Sequence, residues 1–173
     1  MIPREILDHL EKNAISYERH PHRRACTAQQ LAAAMHVPGR RVAKSVIVKA
    51  DDDRIWIAVL PATEMVDVDR LATVLGVASV RLLTEAEFEG LFASCEPGAE
   101  PPFGSLFGLP VVVDSALAEA DRIVFPAGSH EECIEIRSDD FRNLEGNPAT
   151  GTFGCPPANA PRVWEEWPEP RVR

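Results

Sequence analysis

The feature of this sequence that most constrains the fold is a hairpin pattern over residues 43–61, AKSVIVKADDDRIWIAVLP. Two apolar, β-branched runs flank an acidic turn, which is typical of two antiparallel strands joined by a short loop. Lys49 ends the first run beside the turn. Lys44 instead stands near the start of that strand, among apolar residues, and its position needs an explanation.

Helices and strands interleave irregularly along the rest of the chain. Capping residues predict three helix starts: Thr27 opens AQQLAAAM, Asp67 opens a helix that Gly76 ends, and Thr84 opens TEAEFEGLF. Further strands are predicted over ISYERH, VRLL, VVVD, RIVFPAG and CIEIRS. Several strand neighbours are joined by short hairpins. The pattern therefore favours an α+β fold, a mixed sheet with flanking helices, over a purely parallel sheet.

Composition predicts one globular domain and a tail. A chain of 173 residues, 45% hydrophobic, can bury a core, and we place that domain at residues 1–146. Residues 147–173 are rich in proline and predict an extended tail, in which Trp164 and Trp167 could dock onto the domain or a partner. No apolar run approaches the roughly 20 residues that span a bilayer, and the N-terminal residues lack a signal-peptide core. We therefore expect a cytoplasmic protein without a membrane partner.

The charge distribution is uneven. The net charge is −9, which argues against general affinity for nucleic acids, and we expect no DNA partner. Residues 1–49, however, hold nine Lys/Arg against four Asp/Glu, a net +5, whereas the remaining residues carry −14. This asymmetry fits one localised face that binds a polyanion, and it fits equally a fold in which basic and acidic segments simply neighbour each other.

Familiar catalytic motifs are missing from the sequence. It has no GxxxxGK[ST], GxSxG or HExxH pattern. The four cysteines are spread singly, so free thiols are expected rather than a zinc site. Cys95 has no identified histidine partner that would make it a nucleophile, and Asp51–Asp53 are better explained as a hairpin turn. We therefore expect no metal and no cofactor.

Lys44 and His130 are the candidates for chemistry. A lysine that enters an apolar strand either extends its ammonium to solvent or is held at the rim of a pocket, where it suits a phosphate, a carboxylate or a developing oxyanion. His130 stands in the turn AGSH between two predicted strands, either exposed or facing the same cleft. Three of the other histidines, His20, His22 and His36, are expected at the surface.

A loop over residues 93–110, ASCEPGAEPPFGSLFGLP, is dense in Pro and Gly and yet carries apolar residues that can pack it down, which is typical of functional loops. Together the segment VPGRRVAKSVIVK, the loop PGAEPPFG and the turn AGSHEECIEI, in that order, resemble the YbaK/prolyl-tRNA synthetase-associated editing domain family. The resemblance covers about residues 3–146. It implies a barrel-like mixed sheet and an aminoacyl-tRNA deacylase, here a freestanding one that acts in trans on mischarged tRNA.

The resemblance also implies roles for individual residues. Lys44 matches the lysine that holds the phosphate of the terminal adenosine and positions the ester, Gly98 through Pro102 match the GxxxP loop whose backbone approaches the carbonyl, and His130 matches a histidine that lines the aminoacyl pocket. The implied substrate-binding residues are Ser45, Pro102, Gly128 and Ser129. The implied tRNA-binding residues are Arg23, Arg24, Arg40 and Arg41.

The family's proposed mechanism uses the vicinal ribose hydroxyl of the substrate and backbone donors, so no side-chain nucleophile or metal is required. The expected substrate is a tRNA for proline that carries a small non-cognate amino acid, with a synthetase or elongation factor as a possible partner. Alanine-directed freestanding members typically have asparagine after the lysine, whereas Ser45 follows Lys44 here, which puts alanine specificity in doubt. Two alternatives stay open: a tRNA- or nucleotide-binding module without turnover, and a hydrolase of another acyl ester or thioester.

Overall fold

The computed structural model of the protein describes residues 1–157. The strands are β1 (Tyr17–Pro21), β2 (Ala43–Ala50), β3 (Ile55–Pro61), β4 (Met65–Val66), β5 (Val80–Leu82), β6 (Val111–Asp114), β7 (Arg122–Pro126), β8 (Glu132–Arg137), β9 (Ala149–Gly151) and β10 (Gly154–Cys155). The α-helices are α1 (Arg4–Lys12), α2 (Ala28–Met35), α3 (Val68–Leu75), α4 (Glu85–Phe88), α5 (Gly104–Phe107), α6 (Ser115–Ala118) and α7 (Ser138–Leu144), and 3-10 turns cover Gly39–Arg41 and Glu89–Phe92.

The predicted hairpin forms the centre of a five-stranded sheet. Strands β2 and β3 pair antiparallel from Ala43↔Pro61 to Lys49↔Ile55, and the strand order is β5-β2-β3-β6-β9. Strand β5 is antiparallel to β2, whereas β3–β6 and β6–β9 are parallel pairs. The sheet is therefore mixed, as the sequence predicts. Within residues 1–157 it has open edges and does not close into a barrel.

A second sheet of three strands is joined to the first at one point. Its order is β1-β8-β7, with both pairs antiparallel. Within residues 1–157, one isolated parallel bridge, Val42↔Val124, links the start of β2 to β7. Strands β2 and β7 run in the same direction from that bridge. Strand β2 continues into the five-stranded sheet, whereas β7 continues into the three-stranded sheet.

Both faces of β3 are covered, which explains its continuous apolar run. Ile57 and Val59 pack into a core together with α1, β7, β8 and α7. Ala58 and Leu60 point to the opposite face, where α3 contributes Leu71. Successive side chains of a strand alternate between its faces, so a strand buried on both sides needs apolar residues at consecutive positions.

The predicted helix caps are confirmed. The Thr27 Oγ1 accepts a hydrogen bond from the Gln30 backbone N–H, the Asp67 carboxylate accepts from two backbone N–H groups of α3, and Gly76 ends α3 in the left-handed conformation. In the third helix, the Thr84 N–H donates to the Glu87 carboxylate at 2.9 Å, which completes a capping box.

The folded domain continues past residue 147, where the sequence predicts that the tail begins. Residues 149–151 form β9 on the edge of the large sheet, and 154–155 form β10 against β4. Phe153 is fully buried between them. The Asp114 carboxylate accepts hydrogen bonds from the Phe153 and Gly154 N–H groups, both at 2.8 Å, and so holds this segment. The extended-tail prediction is therefore wrong for residues 149–155, and Trp164 and Trp167 lie outside the described residues.

The 93–110 loop also holds more structure than its composition indicates. It contains the short helix α5, and Phe103 is fully buried against Phe125, with ring centroids 5.1 Å apart. None of the helices described within residues 1–157 is long and apolar enough to cross a membrane.

Candidate functional site

A cavity of about 330 Å³ opens where β2 and β7 separate. Residues 44–47 of β2 line it, as do Pro126 at the end of β7 and Ser129 in the following turn. The segment around the start of α2, the residues around α4, and Gly98 and Glu100 of the long loop contribute the other walls. Five segments far apart in sequence therefore meet at this one cavity, which is in the size range of small-molecule sites.

Among residues 1–157, no strand pairs with the edge of β2 at Ser45, where β2 borders the cavity. Strand β5 pairs only with Val48–Ala50. The Val42 C=O accepts from the Ala62 N–H and the Ala50 N–H donates to the Arg54 C=O, so both groups point toward β3. The Ile47 C=O points away from β3 and accepts from the Leu83 N–H at 2.9 Å. Backbone direction alternates along a strand, so the N–H and C=O of Ser45 point away from β3, toward the cavity. The Ser45 Oγ is buried without a hydrogen-bond partner among the described residues.

Lys44 is half-buried at the cavity. Burial lowers the pKa of its ammonium from the ordinary 10.5, and the Glu64 carboxylate partly offsets that shift. Burial also raises the pKa of Glu64, to which the nearby Asp114 adds and which Lys44 opposes. Lys44 is thus a partly desolvated cation whose nearby carboxylate is Glu64. Such a cation attracts an anionic group more strongly than a lysine in open water does.

The Gly98 loop is held close to the cavity by two hydrogen bonds, one within the loop and one to the turn after β7. Gly98 has φ +85°, a conformation that favours glycine, and its N–H donates to the Glu100 Oε1 at 2.9 Å. The Gly128 N–H donates to the Ala99 C=O at 2.7 Å, which ties the loop to the turn after β7. Gly98 and Glu100 line the cavity, whereas Pro102 is buried and is not among the lining residues.

His130 lies behind the cavity wall. The residue is 5% exposed, and its ring has Nδ1 3.1 Å from the Ala25 C=O and Nε2 2.9 Å from the Pro97 C=O. A neutral imidazole has one N–H and donates to one of these carbonyls, whereas an imidazolium donates to both. The ring therefore joins the segment before α2 to the Gly98 loop. It is not among the lining residues, although the adjacent Ser129 is.

The turn before His130 also depends on a close approach. Gly128 has φ +77°, and a Cβ there would lie 2.7 Å from the Pro3 Cδ. Only glycine fits this turn without displacing the start of α1. Gly128 itself is not among the residues that line the cavity, whereas the next residue, Ser129, is.

The four arginines expected to contact tRNA fall into two groups. Arg23 and Arg24 are exposed, between the cavity-lining residues His22 and Ala25. Arg40 and Arg41 line a different cavity of about 570 Å³. There the Arg41 Nη2 is 3.0 Å from a Glu135 carboxylate oxygen, so part of its charge is neutralised within the fold.

Glu100 and His22 line the cavity and were not predicted from the sequence to be site residues. Glu100 is only 8% exposed, and the signal for it is an acidic residue inside an apolar, Pro-rich loop. His22, expected at the surface, lines the cavity instead; its Nδ1 is 2.7 Å from the Arg23 C=O, and its Nε2 is buried without a partner among the described residues. Only the folded chain brings His22 next to β2.

The thiol of Cys95 does not suit nucleophilic chemistry. Burial raises its pKa to about 11, and the nearby Glu100 carboxylate adds to that shift. A thiol of this kind is protonated at neutral pH, whereas the thiolate is the nucleophile.

One group of possible metal ligands occurs in the described part of the chain, formed by Glu18, His20 and Glu135. Arg122 donates to both carboxylates at 2.8 Å, so the cluster is already neutralised by arginine. An ion-pair network between β1 and β8 is the better explanation of these residues.

Comparison with known proteins was made by sequence and by structure. The family model described as the aminoacyl-tRNA editing domain matches residues 22–144. No curated protein sequence matches the chain. Among solved structures, the hypothetical protein APE2540 is similar over 88% of this chain and 100% of its own, with a TM-score of 0.79 and 16% identity.

Two other solved structures have the same fold. A proposed trans-editing enzyme for prolyl tRNA synthetase is similar over 87% of this chain and 94% of its own, with a TM-score of 0.73 and 18% identity. A proposed signal transduction protein from Marinobacter aquaeolei VT8 is similar over 92% of this chain and 32% of its own, with a TM-score of 0.71 and 20% identity. The fold is therefore shared with proteins of different described roles.

Proposed function

Because this chain belongs to the aminoacyl-tRNA editing domain family, we propose that it is a trans-acting aminoacyl-tRNA deacylase that hydrolyses the ester of mischarged tRNA. The observation that carries the proposal is the meeting of Lys44, Ser45 and Gly98 at one cavity, although Gly98 is more than fifty residues from the other two. The cavity combines a desolvated cation, an unpaired strand edge and a glycine loop, and those are the groups that ester hydrolysis on a polyanion needs.

The chemistry requires little from the side chains. Water attacks the carbonyl carbon, the ester C–O bond breaks, and the terminal ribose oxygen leaves with a proton, which releases a free amino acid and intact tRNA. In our proposal Lys44 pairs with the phosphate of the terminal adenosine and so fixes the ester in the cavity. The neighbouring ribose hydroxyl orients the water.

The developing oxyanion needs backbone donors, and the Gly98 loop is the proposed source. Its own amide N–H is already bonded to Glu100, so either that bond exchanges for the oxyanion or another backbone N–H of the loop serves. A glycine suits this loop because its backbone can approach the substrate carbonyl without a Cβ in the way. His130, whose ring joins the loop to the segment before α2, acts in this proposal by holding the loop, together with Gly128, Ser129 and Pro102.

We further propose that the substrate is a tRNA for proline carrying a small non-cognate amino acid. The support is the family and the fold shared with a proposed trans-editing enzyme for prolyl tRNA synthetase. Ser45, which lines the cavity, is the residue we expect to set the choice of amino acid. One methylene in such a pocket changes selectivity by only about 1–3 kcal/mol.

The partners follow from the substrate. Arg23 and Arg24, exposed beside the cavity, are proposed to contact the acceptor end, and Arg40 and Arg41 a more distant part of the tRNA backbone. A synthetase or an elongation factor would deliver the tRNA in the cytoplasm.

The experiment that tests the proposal is a deacylation panel. Proline tRNA charged with alanine, cysteine, serine or proline is incubated with the purified protein, with and without a chelator. We expect faster hydrolysis of one non-cognate ester and no effect of the chelator. If every ester survives while the tRNA still binds, the chain is a binding module of the same fold; if neither occurs, the tRNA proposal is wrong.

A further inference from the structure

The least expected group in the cavity is a buried carboxylate. Glu100 is 8% exposed and lines the cavity, and no Lys, Arg or His side chain within residues 1–157 forms an ion pair with it. Its one hydrogen bond among those residues comes from the Gly98 N–H. Removing a carboxylate from water without a counter-ion is costly, so a buried unpaired carboxylate beside a cavity indicates a cationic ligand.

The carboxylate retains the capacity to bind such a ligand. An ionised carboxylate has about four acceptor positions on its two oxygens, and the Gly98 N–H occupies one of them, on Oε1. That bond also fixes the side chain, because it closes a short ring within the loop. Within residues 1–157 Lys44 forms no ion pair with Glu100, and the carboxylate that partly offsets the lowering of the Lys44 pKa is Glu64. The cavity therefore holds a cation and an anion in separate places.

The substrate class of the proposed function carries charges of both signs. Its phosphate is an anion, and its α-amino group is a compact ammonium with three N–H donors, one carbon away from the ester carbonyl. The loop proposed to face that carbonyl is the loop that carries Glu100. We propose that Glu100 binds the α-ammonium of the aminoacyl group and restricts hydrolysis to esters with a free amino group. This inference rests on the proposed function.

Further acceptors for the same ammonium lie on β2. The Ser45 C=O points toward the cavity side of the strand, and the Ser45 Oγ has no partner among the described residues. Three N–H donors can thus be divided between Glu100 and Ser45. N-acylation would remove the positive charge and two of the donors, and it would leave Glu100 buried against a neutral amide.

The test compares free and N-acetylated substrates. Alanyl-, cysteinyl- and seryl-tRNA for proline are prepared in both forms, and kcat/KM is measured for the wild type and for Glu100→Gln. The variant keeps the size of the side chain and an oxygen for the Gly98 N–H. A charge-assisted hydrogen bond corresponds to a loss of about 10- to 100-fold. We expect Glu100→Gln to lower kcat/KM by that factor for the substrates with a free amino group. For the N-acetylated substrates we expect kcat/KM to change by less than about threefold.

Glu85 supplies the matched control. It lines the same cavity but is exposed, so Glu85→Gln removes the same charge from the rim. We expect it to change the rates of both substrate forms by the same factor. Equal losses on both forms for Glu100→Gln would overturn the proposal and point to proton transfer or loop support, and an unchanged preference for the free amine would overturn it as well.

A binding measurement separates this inference from the proposed function. The probes are 3′-alanylamino-3′-deoxyadenosine, whose amide replaces the ester, and its N-acetyl derivative, both titrated calorimetrically. Tighter binding of the free amine by the wild type, lost in Glu100→Gln, supports ammonium recognition even if no ester is hydrolysed. Equal affinity for the two probes, in a protein that does hydrolyse esters, overturns the inference and leaves the proposed function standing.

Discussion

Replacing Asp114 by alanine should remove a large part of the protein's free energy of unfolding, although Asp114 is not among the residues that line the cavity. Its side chain is 1% exposed and accepts three backbone hydrogen bonds: from Ala116 at 2.9 Å, and from Phe153 and Gly154 at 2.8 Å each. One carboxylate therefore caps α6 and also fastens the segment that carries β9 and β10. Alanine would leave two buried N–H groups without an acceptor.

The magnitude follows from these three bonds. Loss of an N-cap costs about 0.5–2 kcal/mol, and each buried N–H left unpaired costs about 1–3 kcal/mol. The expected decrease in the free energy of unfolding is therefore about 2.5–8 kcal/mol, out of the roughly 5–15 kcal/mol that is typical of a domain. Relaxation of the 153–154 segment toward water would place the result at the lower end of that range.

The assay is urea unfolding followed by far-UV circular dichroism, with Asp67→Ala as the matched control. Asp67 also caps a helix through two backbone N–H groups, both at 3.1 Å, but its side chain is 31% exposed. Water can replace the Asp67 carboxylate as the acceptor of these bonds, so we expect Asp67→Ala to lower the free energy of unfolding by about 1 kcal/mol. Equal losses of about 1 kcal/mol in the two variants would refute the reasoning, because burial of the acceptor would then have made no difference.

Two further predictions concern the packed C-terminal segment and the cavity lysine. Phe153→Ala should lower the free energy of unfolding by about 3–5 kcal/mol in the same assay, because the ring is fully buried; a loss under about 1 kcal/mol would mean that the segment does not pack. Calorimetric binding of adenosine 5′-monophosphate should weaken as pH rises through a Lys44 pKa below 10.5, because burial favours the neutral amine. Glu64→Gln should move that decline to lower pH, and affinity that stays constant up to pH 10.5 would contradict the assignment.

The parts of the fold that depend on local sequence could be predicted. The hairpin of β2 and β3 follows from its apolar runs and acidic turn, and the helix starts at Thr27, Asp67 and Thr84 follow from side chains that bond within the next turn. These signals lie within a few residues of the structure they specify.

The C-terminal strands could not be predicted, because their partners are distant. Strand β9 pairs with β6, nearly forty residues earlier, and β10 pairs with β4, about ninety residues earlier. Both strands are short and stand among Pro and Gly, so neither has a period that can be recognised. The signal that remained was Phe153, a large apolar residue in a stretch otherwise typical of a tail.

The candidate site shows the same division. Lys44 is conspicuous in the sequence because an ammonium interrupts an apolar strand, and Gly98 because the loop around it resembles that of a known family. Glu100 and His22 are ordinary polar residues in sequence and become notable only when the fold places them at the cavity. A glutamate in a loop is exposed far more often than buried, and a histidine is found in both environments, so residue type alone does not place either side chain at a cavity.

The most direct test of the central claim is the deacylation rate of Lys44→Ala against that of Lys49→Ala. Lys49 lies on the same strand and pairs with Asp53 at 2.9 Å beside the turn, away from the cavity. With the non-cognate ester that the wild type hydrolyses fastest, we predict that kcat/KM falls by about 10- to 100-fold or more in Lys44→Ala and stays within about twofold in Lys49→Ala. Equal rates for the two variants, with both proteins folded, would contradict the account.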